Sequence, residues 1–536
     1  MNLTAALANS LWAASCVPAW TRFRLALREP GAAQRAHLQR HLQRQADSRF
    51  GRARGLTGSE NYAEFARRVP LADYDAFAPW IERIRRGESE VLTRGAVTHL
   101  VPTSGTTSGR KLIPFTAELQ GEFNAAIGPW LVDLARRHPG VLGGAAYWSV
   151  SPALQPAARE ESVVPIGFDS DAAYIGGARR RLVDAVLAVP AEVGRITALG
   201  PWRYATLLGW LRRRDLRFIS IWNPWFLTLL FEALPEFWED LLRDVAAGTC
   251  RHGAEFPPDS PTRGGAAPQR ARAAELSRLE PRDAAGLWPE LRLISCWGDA
   301  AAALALPEMR RHFPNVPVQM KGLLATEAFV SLPFAGRHPL AVASHFFEFL
   351  DDAGRVHLAE DLRVAAEYEV VVTTGGGLWR YRLGDRVRVN GSVGRTPTVE
   401  FLGRAGNVSD LFGEKLSEAF VAQVLREMWV AVGAEPRPGR LAAERDAAGW
   451  RYVLRVAGEP GAGWAEALER ALRRNPQYAT CRDLGQLHAP RVVGGAAGDM
   501  ACATGLHAAS APLGGRKPAV LGPAAGFENA MTQGKI

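Results

Sequence analysis

The spacing of apolar and polar positions changes several times along this chain, and the changes divide it. Residues 1 to about 50 read as helices: Leu3 to Trp20 is fairly apolar and amphipathic, and the next stretch presents His37, Arg40, His41 and Arg44 as an exposed basic face. Another helix opens at Pro70-Leu71-Ala72-Asp73-Tyr74 and carries Trp80, Ile81 and Ile84. Val97 to Val101 is a short β-type run. Beyond Thr116 a helical pattern keeps Phe123, Ile127, Trp130, Leu131 and Leu134 apolar, with Pro129 expected to kink it. Ala145 to Val150, Leu216 to Trp222 and Leu291 to Trp297 read as strands, the last as a buried one, and Trp225 to Leu234 as an apolar helix. Val370 to Thr374, Tyr381 to Val389 (broken at Gly384-Asp385) and Val399 to Leu402 are further β runs. Strands alternating with helices over roughly 400 residues predict an α/β fold, a large domain with mixed β-sheets flanked by helices.

After Gly406 the texture changes. Phe420, Val424 and Met428 fall at helical spacing, Trp450, Tyr452, Leu454 and Val456 alternate like a half-buried strand, and Trp464, Leu468 and Leu472 share a helix face that stops at Asn475-Pro476. This is a small α+β unit of about 130 residues, with the boundary placed at Arg404–Gly406. The expected domains are therefore 1–403 and a C-terminal lid, 404–536. Residues 251–275, rich in Pro, Gly, Arg and Ala, read as a mobile excursion, and the chain beyond about 522 as a frayed tail.

Composition narrows the class. A chain of 536 residues is too long for one ordinary domain, and 47% apolar with 22% charged residues is globular rather than disordered. The net charge of +9 permits anionic partners, but the bases are scattered and biased to Arg, so no nucleic-acid patch is expected. The five cysteines are odd in number and widely spaced, without CxxC, which supports neither a disulfide framework nor a zinc site and fits a reducing, cytoplasmic setting. The first residues lack a basic region ahead of the apolar ones, so they read as a helix rather than a signal peptide, and no later run is long enough to span a membrane.

Candidate chemistry begins at Thr103-Ser104-Gly105-Thr106-Thr107-Ser108-Gly109-Arg110-Lys111. Glycines let the backbone approach a ligand, successive N–H groups make an anion-binding concavity, and hydroxyls and a lysine add donors. The strand before it and the helix after it suit a phosphate loop, although the spacing is not that of a P-loop, and alone the stretch is as well a plain surface turn. Downstream, Lys321-Gly322-Leu323-Leu324-Ala325-Thr326-Glu327 sets a carboxylate in a turn, where it could hold Mg2+ beside phosphate oxygens or be a solvated loop acid. Tyr381-Arg382-Leu383-Gly384-Asp385 offers an acid at a strand end for ribose hydroxyls, or a hairpin turn. Gly413-Glu414-Lys415, and Arg516-Lys517-Pro518 near the end, offer lysines that could stabilise charge on a phosphate or be surface charges. By position Trp222, Phe329 and Phe346 could line an acyl pocket or belong to the core.

Taken in this order and at these separations, the motifs resemble the auxin-responsive acyl-acid amido synthetase family (Gretchen Hagen three) of the adenylate-forming superfamily, over about residues 5–490. Thr103–Lys111 looks like its phosphate loop, Leu324–Glu327 like its magnesium and nucleotide motif, and Tyr381–Asp385 matches its Tyr-Arg-x-Gly-Asp motif in full. Phe401-Leu402-Gly403-Arg404 with Gly413–Glu418 looks like its crossing into the small domain, and stretches such as Val164–Phe168 look closer to bacterial members. The chain departs from the family at Ala405-Gly406, where a charged pair is common, and across the Ala- and Gly-rich 492–511, which puts the register of Lys517 in doubt.

The resemblance implies a ligase that uses ATP and Mg2+ to adenylate a carboxylic acid and then passes the acyl group to an amine, usually of an amino acid. It implies Thr103, Ser104, Gly105, Thr106, Thr107, Ser108, Gly109 and Lys111 around the phosphates, Ala325 and Thr326 beside the nucleotide, and Glu327 on Mg2+. Asp385 and Tyr381 would take the ribose, Arg404 and Lys415 the nucleotide from the domain edge, with Lys517 as catalytic lysine. A CoA ligase with a thiol acceptor shares the first step, and a nucleotide-binding protein that has lost catalysis would keep only the binding motifs. The partners expected are small molecules, with no nucleic acid and no membrane; the sequence does not name the acid, the amine or the oligomeric state.

Overall fold

The computed structural model describes residues 2–103, 111–149, 162–167, 177–256, 260, 265–405, 408–409, 411–412, 414–446, 449–483, 486–495 and 520–522. Strands β1 (Val97–Pro102) and β2 (Leu112–Thr116) form an antiparallel hairpin. β3 (Ala145–Trp148), β4 (Leu216–Ser220), β5 (Leu293–Cys296) and β6 (Val318–Met320) make a parallel sheet in that order. The near-continuous apolar residues of β3 and β5 follow from burial on both faces. Helices Leu199–Arg212 and Pro224–Glu232 pack there; Asn223 caps the second by accepting the Trp225 N–H at 3.0 Å, with Pro224 in its first turn. Around this sheet a core gathers Tyr147, Trp210 and Trp288, with Trp210 edge-on to both partners.

The second large sheet is antiparallel. Its members are β7 (Phe346–Leu350), β8 (Val356–Leu358), β9 (Glu367–Thr373), β10 (Tyr381–Val393) and β11 (Thr396–Arg404), arranged β11-β10-β9-β7-β8. β10 alternates buried and more exposed residues, the signature of a sheet with one packed face. N-terminal helices cover that face, and Phe50, Phe65, Phe77 and Trp379 meet in its core.

A third core lies after residue 404. β12 (Val408–Ser409) and β13 (Leu416–Ser417) pair briefly, and β14 (Gly439–Asp446), β15 (Gly449–Ala457) and β16 (Leu487–Gly495) form a three-stranded sheet. Helices Glu418–Ala431 and Trp464–Leu472 pack on it through Leu425, Trp429, Trp464 and Leu468. Val520 and Leu521 return to this core: Leu441 donates to the Val520 carbonyl at 2.7 Å, and the Val520 N–H reaches the Glu418 side chain at 3.0 Å.

Three local expectations change. Leu112–Thr116 is a fully buried strand, not a lead-in to the helix: Ile113 and Phe115 suit a pleated surface, and Pro114, which has no N–H to donate, is accommodated in a two-stranded ribbon. Part of the supposed excursion at 251–275 is the helix Arg270–Leu276, whose buried Arg272 donates to the Leu211 and Leu287 carbonyls. Of the basic face, only Arg40 and Arg44 are exposed. His37 and His41 lie one helical turn apart and turn inward, His37 to Glu122 at 3.2 Å and His41 edge-on to Trp379 at 4.5 Å.

Candidate active site

The hairpin fixes the stem of the first motif. Thr103 donates its N–H to the Lys111 carbonyl at 2.9 Å, so the intervening loop joins two antiparallel strands and does not run into a helix N-terminus, as the sequence implied. Ser104, Gly105, Thr106, Thr107, Ser108 and Gly109 lie outside the described residues. Lys111 sits over the Tyr74 ring at 5.5 Å, and the Tyr74 hydroxyl accepts the Leu112 N–H at 2.8 Å.

The turn bearing Glu327 follows β6. The Gly322 backbone packs so tightly that a Cβ would lie 2.2 Å from the Ser331 carbonyl oxygen, while the Leu323 N–H donates to Ser331 Oγ at 2.9 Å. Ala325 donates to the Ala328 carbonyl at 3.0 Å, and Leu324 bridges Phe329 across the turn. Ala325 and Thr326 stay half-buried, and Glu327 is 3% exposed.

Tyr381, Asp385 and Arg404 come from the two neighbouring strands. β10 does not stop at Gly384-Asp385; it bulges there, with Gly384 at φ +76°, and continues to Val393. The bulge sets Asp385, which is fully buried, opposite Arg404 on β11, with Arg404 Nε 3.4 Å from Asp385 Oδ1. Burial works against the Arg404 charge, but Asp385, then Glu327 and Tyr381, hold its guanidinium above the usual range. Burial, and after it the Glu327 carboxylate, push the Tyr381 phenol well up. The Arg404 guanidinium and the Tyr381 phenol thus each feel both carboxylates. Arg380, at φ +46°, anchors the start of β10 by a bidentate pair with Glu348, its Nη2 2.7 Å from Glu348 Oε1.

The aromatic residues separate. Phe329 packs against Phe123, and Phe346 against Tyr62 and Phe65, all within the core of the antiparallel sheet. Trp222 instead stands just beyond the carboxyl end of β4, tilted against Trp297 at 5.6 Å. Carboxyl ends of parallel strands are where such sheets bind ligands.

Lys415 is exposed, with φ +45°, while its neighbour Glu414 is fully buried. Glu414 accepts the Leu411 and Phe412 N–H groups and the Tyr452 hydroxyl, the last at 2.6 Å, which fixes the backbone that presents Lys415. Lys517 lies outside the described residues.

Several residues at the site carried no role in the sequence reading. Lys321 is buried just past β6, donates to Ser220 Oγ at 2.7 Å, and lies over the rings of Trp130 and Trp222 at 5.0 and 4.5 Å. A charge at the end of an apolar run was its signal. Asp299, just past β5, accepts the Phe401 N–H at 3.1 Å and joins the parallel sheet to β11; burial holds its carboxyl up. Glu122 and His345 form a buried pair at 3.0 Å; a carboxylate aligned with Ala126 and Trp130 on an apolar helix stripe was the available hint. Among the described residues no group of three or more His, Cys, Asp and Glu is arranged to hold a metal ion, and no helix is long and apolar enough to cross a membrane.

Comparison with known proteins adds a family to this geometry. The GH3 family N-terminal domain matches residues 19–318, and the GH3 family central domain matches residues 338–404. The chain is 28% identical over 430 residues to a probable indole-3-acetic acid-amido synthetase GH3.4 of Oryza sativa subsp. japonica, covering 73% of this chain and 68% of that one. It is 22% identical over 419 residues to the jasmonoyl–L-amino acid synthetase JAR4 of Nicotiana attenuata, covering 71% and 70%. Its fold matches the solved AtGH3.15 acyl acid amido synthetase in complex with 2,4-DB at a TM-score of 0.79, with 19% identity, over 97% of this chain and 95% of that chain. With the N-terminal domain alone matched over more than half of its length, the chain belongs to the GH3 family.

Proposed function

We propose that this protein is an ATP-dependent acyl acid amido synthetase, with the nucleotide held between the Glu327 turn and the β10–β11 bulge. It adenylates a small carboxylic acid with release of pyrophosphate, then transfers the acyl group to an amine, as for an amino acid, with release of AMP. The observation that carries the reading is the burial of Asp385 against Arg404 at the β10–β11 bulge, with Glu327 acting on both the Arg404 guanidinium and the Tyr381 phenol, so that three separate motifs bear on one another. The names of its relatives, indole-3-acetic acid-amido and jasmonoyl–amino acid synthetases, support the amide product.

The chemistry follows from the charges. A free carboxylate is a poor acyl donor; joining it to the α-phosphate gives it AMP as leaving group. In-line attack at phosphorus needs positioning and charge stabilisation more than covalent help. Asp385 accepts from the ribose hydroxyls, held in place by Arg404, with Tyr381 against the same face. Thr326 lies toward the α-phosphate, and Thr103, Ser104, Gly105, Thr106, Thr107, Ser108, Gly109 and Lys111 hold the departing pyrophosphate. The donor set fits Mg2+, which needs one or two protein carboxylates when it arrives on phosphate oxygens; Glu327 would hold it, and the ion would offset phosphate charge. Trp222 is the best-placed of the acyl-pocket candidates.

Residues from 404 onward act as a lid that turns near Arg404–Gly406 between half-reactions. Lys415 and Lys517 come to the nucleotide from that side. Cys250 and Cys296 are free thiols, which supports a reducing, cytoplasmic setting.

A screen of carboxylic acids for acid-dependent pyrophosphate release, followed by mass spectrometry of products with amino acids or CoA as acceptor, tests the reaction. Asp385→Asn and Glu327→Gln should each lower the adenylation rate by a factor of about a hundred or more, the usual scale for losing a charge-stabilising group. Wild-type rates in both variants, or a CoA thioester as the sole product, would refute the reading.

A further inference from the structure

His345, just ahead of β7, is fully buried, and Glu122, on the helix Ala117–Arg137, is 9% exposed. The Phe329 backbone N–H donates to His345 Nε2 at 3.0 Å. A ring nitrogen that accepts carries no proton, so the proton sits on Nδ1 and is donated to Glu122 Oε2 at 3.0 Å. The same carboxylate oxygen receives the Gly375 N–H at 2.8 Å, and Glu122 Oε1 meets His37 Nε2 at 3.2 Å. Phe329 closes the turn Ala325–Ala328, which holds Thr326 and Glu327. Gly375 belongs to the turn between β9 and β10, the strand of Tyr381 and Asp385. One carboxylate therefore fastens both approaches to the proposed nucleotide site, one directly and one through an imidazole locked in a single tautomer.

We propose that His345, oriented by Glu122, is a positioning residue for the adenylation half-reaction, setting the Thr326–Glu327 turn against the nucleotide from a buried site behind it. This rests on the adenylation reading above. Shape alone does not account for the pair: Phe123 and Phe347 pack edge-on to the ring at 5.7 and 6.0 Å, contacts that a phenyl group would also make. What phenyl lacks is the acceptor for Phe329 and the donor for Glu122.

The test uses the full chain and the acid found by the pyrophosphate screen, with a synthetic acyl-adenylate of that acid supplied to isolate the second half-reaction. His345→Phe should lower kcat/KM for Mg·ATP in adenylation at least tenfold and weaken Mg·ATP binding in calorimetry at least fivefold, while aminolysis of the supplied adenylate stays within twofold. His345→Gln, whose side-chain oxygen can accept the Phe329 N–H, should stay within threefold of wild type in both. Glu122→Gln, run beside them in case His345→Phe does not fold, frees the ring to take the other tautomer and should weaken Mg·ATP binding as His345→Phe does. Unchanged Mg·ATP affinity in the folded variants, or equal losses in the two half-reactions, overturns the proposal. Nitrogen-15 spectra of histidine-labelled wild type, assigned with His345→Gln, should show His345 protonated on Nδ1; a proton on Nε2 overturns it without reference to turnover. A wild-type protein that adenylates no acid would sink the proposed reaction instead, and the spectra would still judge the bracket.

Discussion

Arg380 offers the sharpest quantitative test of how the site is held. Its guanidinium places Nε 2.9 Å from Glu348 Oε2 and Nη2 2.7 Å from Oε1, and its Nη1 donates to the Ala66 and Val69 carbonyls at 2.9 Å each. Glu348 also accepts the Tyr62 hydroxyl at 2.7 Å. The two side chains are only 6% and 1% exposed, so neither charge can be rehydrated if its partner goes. Arg380→Met strands the carboxylate and should cost about 3–5 kcal/mol; Glu348→Met strands the guanidinium at similar cost. Removing both should recover much of this, giving a coupling of at least about 2 kcal/mol in a double-mutant cycle, since an apolar pair of similar volume often replaces a buried ion pair at little cost. Urea denaturation followed by tryptophan fluorescence reads the cycle, with Trp379 beside the pair in sequence. Arg35 and Glu360 serve as control: their side chains are 63% and 29% exposed, and their coupling should stay below about 1 kcal/mol. A buried-pair coupling no larger than the control would refute the reasoning. The Met at 380 would inherit the left-handed backbone, φ +46°, so that strain is common to the single and double variants and does not enter the coupling.

Two further outcomes are expected. Burial holds the His41 imidazole down at about 4 against an ordinary 6.5, so between these values the unfolded chain binds more protons and stability falls as pH falls. His41 should account for about 2 kcal/mol of stability lost from pH 7 to pH 5, and His41→Phe should flatten that slope; a slope unchanged in the variant refutes the assignment. In the C-terminal unit, Tyr452→Phe removes the 2.6 Å hydrogen bond to buried Glu414 and loosens the loop that presents Lys415. It should cost about 1–2 kcal/mol in that unit's unfolding and change overall turnover more than the melting of the large sheets, as differential calorimetry with kinetics would show.

The parts of the structure that were legible in the sequence are those whose cause is local. The parallel strands at Ala145–Trp148 and Leu293–Cys296 declare themselves by apolar runs, and Tyr381–Asp385 and Ala325–Glu327 by residue types set close together. What failed was whatever depended on a distant partner. His37 and His41 share a helix with Arg40 and Arg44, and nothing within a few residues distinguishes an inward imidazole from a solvated base; the deciding group, Glu122, lies 85 positions from His37. His345 stands 223 positions from the same carboxylate. β2 was hidden because Pro114 argues against a central strand, and only the hairpin partner reveals a ribbon that tolerates it. The division has a consequence for mutagenesis. Groups that would touch the nucleotide sit in short motifs, but the groups that set their geometry (Glu122 and His345 for the Glu327 turn, Arg380 and Glu348 for the start of β10) stand outside those motifs or at their edge. Glu122, His345 and Arg380 are buried and hydrogen-bonded to backbone, and Glu348 holds Arg380, so their removal displaces main chain rather than a single side chain. Substitutions that damage adenylation should therefore fall into two sets: motif residues that lower the rate with folding intact, and brackets that lower rate and stability together.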